Sequence, residues 1–172
     1  MIDLKKLLEN KSLKAKEKTE ALSTLLLDKK VSVDELLSFA AFVKDSLKAS
    51  CIEALEFASK KNPAIVTKKC FEFVTVSLTE KAPRIKWESA KVIGNTGYLF
   101  PKQLDAAIGN LLINTEHTGA VVRWSAAFAL GEIVQLKTAH NKILIPAIEA
   151  IMKREEKNSI KKIYVAAIKK FN

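Results

Sequence analysis

Apolar residues recur three and four positions apart along most of this chain, with polar residues filling the other side of a 3.6-residue turn. In residues 63–78 the stripe is Val66, Cys70, Phe73, Val74 and Ser77; in 101–115 it is Leu104, Ile108, Leu111 and Leu112; in 143–155 it is Ile148, Ile151 and Met152. This spacing predicts amphipathic helices, since a strand would alternate with a period of two. Pro63 and Pro101 stand where the first turn of a helix tolerates proline, after the polar joint Lys60-Lys-Asn62 and the glycine-containing joint Gly94-Asn-Thr-Gly97. Pro146 falls inside its run and predicts a late helix start or a kink.

Before two of these runs stands the same helix-forming phrase, Arg84-Ile-Lys-Trp-Glu-Ser-Ala-Lys-Val-Ile-Gly94 and Val121-Val-Arg-Trp-Ser-Ala-Ala-Phe-Ala-Leu-Gly131. The copies align at an offset of 37, Lys86 on Arg123, Trp87 on Trp124, Ala90 on Ala127 and Gly94 on Gly131. Stepping back 36 from the first copy reaches Cys51, Ala54, Phe57 and Ala58. Weaker copies open near Lys18, with Ala21, Leu22 and Leu25, and in the final stretch, with Tyr164, Ala167 and Ile168. A repeat of this length is a helix pair that buries its apolar face only against its neighbours, with degenerate copies at the ends. The expected organisation is one domain, 1–172: a degenerate repeat at 15–47, central repeats at 48–80, 84–115 and 121–156, and a capping helix at 158–172. Gly94 and Gly131 are expected at close-packed or turn positions.

The pattern from Val122 to Ile133, hydrophobic-Arg-x-x-Ala-Ala-x-Ala-Leu-Gly-Glu-Ile, resembles the HEAT-like repeat family, particularly its short bacterial and archaeal form. The resemblance spans residues 15–171 and is strongest over 84–155. It implies an all-α fold, a right-handed α-α superhelix of four to five helical hairpins. First helices would lie on the convex side and second helices would line a concave groove. The family often has an aspartate before the Arg; here the stretch is Asn114-Thr-Glu-His-Thr-Gly-Ala120, so the usual polar ladder between repeats is not predicted.

Five glycines and four prolines in 172 residues suit a helical chain. No apolar run approaches the roughly 20 residues needed to span a bilayer. The N-terminal Met1-Ile-Asp-Leu-Lys-Lys lacks the apolar core of a leader, so a cytoplasmic location is expected. Cys51 and Cys70 fall on periodic apolar positions and are expected as buried free thiols. The net charge of +10 invites an anionic partner, yet only Arg84, Arg123 and Arg154 are arginines and the lysines are spread along the chain. Lysine is a diffuse point charge, without the fork that reads guanine edges, so only non-specific nucleic-acid contact is expected.

Candidate chemistry is sparse. Neither histidine, His117 nor His140, has a Cys or carboxylate at metal-ligand spacing, and no phosphate loop or triad signature is present, so no metal or cofactor is expected. The chain is similar in class to HEAT-like DNA glycosylases that excise alkylated bases, which implies an alternative reading with Asp105 as carboxylate and Trp87 and Trp124 as aromatic walls. Against it, the tryptophans occupy one register of the first helices and are expected as core. Asp105 suits the first turn of a helix through the helix dipole.

The leading expectation is a scaffold without catalytic activity that holds a protein partner on its concave face. The binding residues expected there are Lys68, Glu72, Lys102, Asp105, Lys153 and Arg154, with Arg123 at a helix start. Arg123 is also expected to pair with an acidic neighbour such as Glu88 or Glu116.

Overall fold

The computed structural model describes residues 2–172; Met1, where the expected domain and N-terminal stretch begin, lies outside them. Among the described residues there are ten α-helices and no strand: α1 (Leu4–Glu9), α2 (Ala15–Leu27), α3 (Val33–Ala41), α4 (Asp45–Lys61), α5 (Lys68–Ser77), α6 (Pro83–Thr96), α7 (Leu104–Asn114), α8 (Ala120–Val134), α9 (Asn141–Arg154) and α10 (Asn158–Phe171). The prolines at 63 and 101 open separate 3-10 turns, Pro63–Ile65 and Pro101–Gln103, so α5 and α7 begin later than the expected runs. Pro146 lies within a continuous α9.

The helices stack in two layers. The even-numbered helices α2, α4, α6, α8 and α10 each pack along the next, while α3, α5 and α7 touch one another far less. Side-chain size explains the difference. The even layer meets through Ala54, Ala58, Ser89, Ala90, Ala126, Ala127 and Gly131, all buried, which lets backbones approach closely. A Cβ at Gly131 would stand 3.3 Å from the Cβ of Ala167 on α10, and one at Gly94 would collide with the ring of Phe128. Leu36, Leu78, Leu104, Leu111 and Leu144 hold the second layer onto the first.

In a two-layer stack the layer with closer spacing lies on the inside of the bend. The first helices of the repeats, α4, α6 and α8, therefore form the inner layer and the second helices the outer one. The family resemblance implies the other assignment, with the first helices on the convex side.

Gly94 continues α6, and Gly97 caps it with a right-handed φ of −55°. The left-handed turn residues are Lys29, φ 57°, and Lys137, φ 53°. At the ends, Leu4 and Leu8 of α1 are buried against α2, and Tyr164 of α10 is fully buried. The two thiols are free and buried, and burial pushes both up to about 12, far from thiolate at neutral pH.

A polar ladder does cross the repeats, built from other residues than the missing aspartate. Thr19 donates to Glu53 Oε2 at 2.8 Å, and Arg84 donates to the same oxygen at 2.7 Å. Lys86 Nζ reaches back to the Leu78 carbonyl at 2.9 Å and forward to Asn114 Oδ1 at 3.1 Å. Asn95, Asn110, Asn114 and Gln135 each donate to a backbone carbonyl of an adjacent repeat.

Candidate functional site

The free side of the inner layer carries a stripe of aromatic and acidic residues. On α8, Trp124 and Phe128 are four residues apart and so lie one turn above each other; their rings stack with centroids 6.1 Å apart. Trp124 is 40% exposed, so it is no core residue. Phe128 leans over Gly94 of α6, where a side chain would displace it. On α6, the half-buried Trp87 donates its indole N–H to Glu88 Oε1 at 2.8 Å. The core role expected for the tryptophans is thus corrected: these large rings stand at the rim of the layer, and the small residues fill the contact.

Behind Trp87 sits a compact charge cluster. Lys91 Nζ lies 2.8 Å from Glu88 Oε2 and 3.9 Å from Glu56 Oε2, so one ammonium serves two buried carboxylates. Loss of water raises the Glu88 carboxyl above the usual range, a shift opposed by Lys91 and by the Trp87 N–H. Grooves flank the stripe. One of about 330 Å³ between α2 and α4 is lined by Glu20 and Glu56, by Lys60 and Lys61, and by Phe57. Another, of about 290 Å³ between α8 and α10, is lined by Phe128, Glu132, Gln135, Ile163, Ala166 and Lys170. Glu132 also borders the narrow cleft between α6 and α8, beside Gly94 and Tyr98.

The residues expected to bind a partner lie elsewhere. Lys68 and Glu72 pair with each other along α5 at 3.7 Å, and Lys102, Asp105 and Lys153 are exposed on or beside the outer helices. Arg154 contacts Glu116 at 3.3 Å and donates to Thr115 Oγ1 at 3.0 Å. Arg123 is wholly engaged within the fold. Its Nε and Nη2 donate to the two oxygens of Glu155 at 2.9 and 3.2 Å, and its Nη1 to the carbonyls of His117 and Thr118. The partner is Glu155, not Glu88 or Glu116, because α9 ends where it delivers a buried carboxylate beneath the start of α8. These pairs engage Glu116, Arg123, Arg154 and Glu155 in the cavity of about 420 Å³ at this edge, which Glu156 also lines.

The residues of the glycosylase-like alternative are not brought together. Asp105 lies at the start of α7 in the outer layer, where its Oδ1 is 2.7 Å from His140 Nε2, while both tryptophans sit on the inner layer. Among the described residues no group of three or more His, Cys, Asp or Glu could hold a metal ion, and no helix is long and apolar enough to cross a membrane.

Sequence reasoning missed Glu56, Phe57, Phe128 and Glu132. The signal was available in the four-residue spacing of Trp124 and Phe128, read there as packing because the surrounding alanines dominate the phrase.

No protein-family model matches the sequence, and no curated protein does. Solved structures are similar in shape. One designed armadillo repeat protein has a TM-score of 0.75 at 14% identity, covering 98% of this chain and 81% of its own. Another, in complex with the peptide (KR)4, gives 0.72 at 15%, covering 98% and 80%. The complex of CpcE and CpcF of phycocyanin lyase from Nostoc sp. PCC7120 gives 0.68 at 15%, covering 96% of this chain and 95% of the matched one. At these identities the likeness speaks for the fold, and the chain is an all-α repeat solenoid of the armadillo and HEAT type.

Proposed function

We propose that this protein is a scaffold without catalytic activity of its own, which holds a segment of a partner protein along the free side of its inner helical layer. The observation that carries this reading is the row of half-exposed aromatics, Trp87, Trp124 and Phe128, flanked by open grooves on one face of the stack. Aromatic anchors beside concavities are what interface hot spots use, because a ring loses little conformational freedom and buries much area. The outer face, where Lys68, Lys102, Asp105 and Lys153 lie, offers charges without such anchors. Support also comes from the similar structures, one a designed armadillo repeat protein holding a peptide and another a protein complex.

Site-specific photo-crosslinking tests this. A photoreactive residue replacing Trp124 is expected to capture a polypeptide in extracts of the source cells, and one replacing Ile113, exposed on the outer helix α7, is not. Capture of nucleic acid from position 124, or equal capture from both positions, would contradict the reading.

A further inference from the structure

We propose that the groove between α2 and α4 binds a small zwitterion, a free α-amino acid with an apolar side chain. Its ammonium would sit on Glu56, its carboxylate on Lys60 and Lys61, and its side chain against Phe57. This goes beyond the scaffold reading and stands or falls independently of it.

Two buried polar groups, one on each wall of this groove, lack the hydrogen bonds that burial normally brings. On α4, Glu56 is 7% exposed, yet its carboxylate accepts no hydrogen bond among the described residues. The cation in ion-pair range, Lys91, is 3.9 Å away and lies 2.8 Å from Glu88, which holds it more closely. On α2, Ser23 is 2% exposed and its hydroxyl has no hydrogen-bond partner among the described residues, whereas Thr19 and Thr24 of the same helix each donate to the carbonyl four residues back. A helix serine that forgoes this bond keeps its hydroxyl for another partner. A carboxylate and a hydroxyl withdrawn from water without partners carry a desolvation penalty, which a donor entering the groove removes. The remaining charges decide what that donor is attached to. Glu20 pairs with Lys16 along α2 at 3.7 Å, and Lys91 with Glu88. That leaves Glu56 on one side and Lys60 and Lys61, neither in an ion pair among the described residues, on the other. Glu56 and Lys60 are one helical turn apart, about 6 Å along α4. A plain amine meets Glu56 but also two lysines, and a plain acid meets the lysines but also Glu56; a zwitterion satisfies both ends. The volume of about 330 Å³ is at the small end for a ligand site, the scale of a single amino acid. Phe57, half-buried in the α4 wall, offers an apolar ring to the ligand's side chain.

The test is a proton–nitrogen NMR titration of the full chain with L-phenylalanine, set against phenethylamine, which lacks the carboxylate, and 3-phenylpropionate, which lacks the ammonium. L-phenylalanine should shift backbone amides of α2 and α4 with a Kd of about 1 mM, and the two fragments should bind at least about tenfold more weakly. Glu56→Gln should weaken L-phenylalanine about tenfold without weakening 3-phenylpropionate. Lys60→Gln combined with Lys61→Gln should bring L-phenylalanine down to the level of phenethylamine. Ser23→Ala separates binding from structure: its hydroxyl bonds nothing in the fold, so Tm should hold or rise while L-phenylalanine binding weakens. Lys102→Gln, beside the outer layer, should leave binding unchanged. Circular dichroism melts confirm that each variant is folded. Phenethylamine or 3-phenylpropionate binding as tightly as L-phenylalanine would overturn the inference. So would shifts centred outside α2 and α4, binding indifferent to both Glu56→Gln and Ser23→Ala, or no saturable shift with L-phenylalanine. None of these outcomes bears on cross-linking from position 124, so the scaffold reading is tested separately.

Discussion

Gly109 lies in the middle of α7, and nothing stands within 4 Å of where its Cβ would be. A glycine in a helix interior costs roughly 0.5–1 kcal/mol relative to alanine through lost chain entropy, so Gly109→Ala should stabilise the protein and raise Tm by about 2 °C. A calorimetric scan checks this; a lowered Tm would mean that α7 approaches something at that point. The Arg123–Glu155 pair supports the reverse prediction. Arg123 is the main cause holding the Glu155 carboxyl below its ordinary value of 4.5. A carboxylate with a lowered folded pKa contributes stability above about 4.5, which is lost as pH falls through the folded value. Glu155→Gln should therefore cost about 2 kcal/mol at pH 7, an amount typical of orphaning one partner of a largely buried pair, and the gap to the parent should narrow as pH falls through the lowered folded value. Urea denaturation at pH 7, 5 and 3.5 measures it. The raised Glu88 carboxyl has the opposite sign: its contribution favours the fold below about 4.5 and is lost as pH rises through the folded value.

At the scale of helices, the interface of α8 with α10 depends on Gly131, whose missing side chain leaves only 3.3 Å between its Cβ position and Ala167 Cβ. Gly131→Leu forces these helices apart, and overpacking of this kind costs about 1–3 kcal/mol or more. Hydrogen exchange should show lost protection in α10 ahead of α4; an unchanged melt and unchanged α10 protection would contradict the packing described. The helix pairs were legible because the phrase around Trp87 repeats at Trp124 with its alanines and glycine in register. Helix starts at Pro63 and Pro101 were less so, since proline's fixed φ suits a short 3-10 turn as well as the first turn of an α-helix. The turns at Lys29 and Lys137 left no signal, because left-handed φ is usually marked by glycine or asparagine. The polar ladder was equally hidden: Arg123 and Glu155 are 32 residues apart, and only the packing of α9 under α8 joins them.

For the whole molecule, the proposed function depends on which layer lies on the inside of the stack. Both layers are amphipathic, and the hydrophobic period does not say which is the inner one. Side-chain size does: alanine and glycine between the even helices bring that layer close and bend the stack toward it. The candidate binding lysines lie on the outer layer, whereas the tryptophans, read from sequence as filling, stand at the rim of the inner one.

The chain has two tryptophans, both on the inner stripe, so two indole N–H resonances report on the proposed face without interference. Titration of isotope-labelled protein with the partner segment recovered by cross-linking at position 124, followed by proton–nitrogen NMR, should shift both indole signals together with backbone amides of α4, α6 and α8, while α5, α7 and α9 stay in place. Shifts confined to α5, α7 and α9 with both indoles unmoved would contradict the assignment of the binding face.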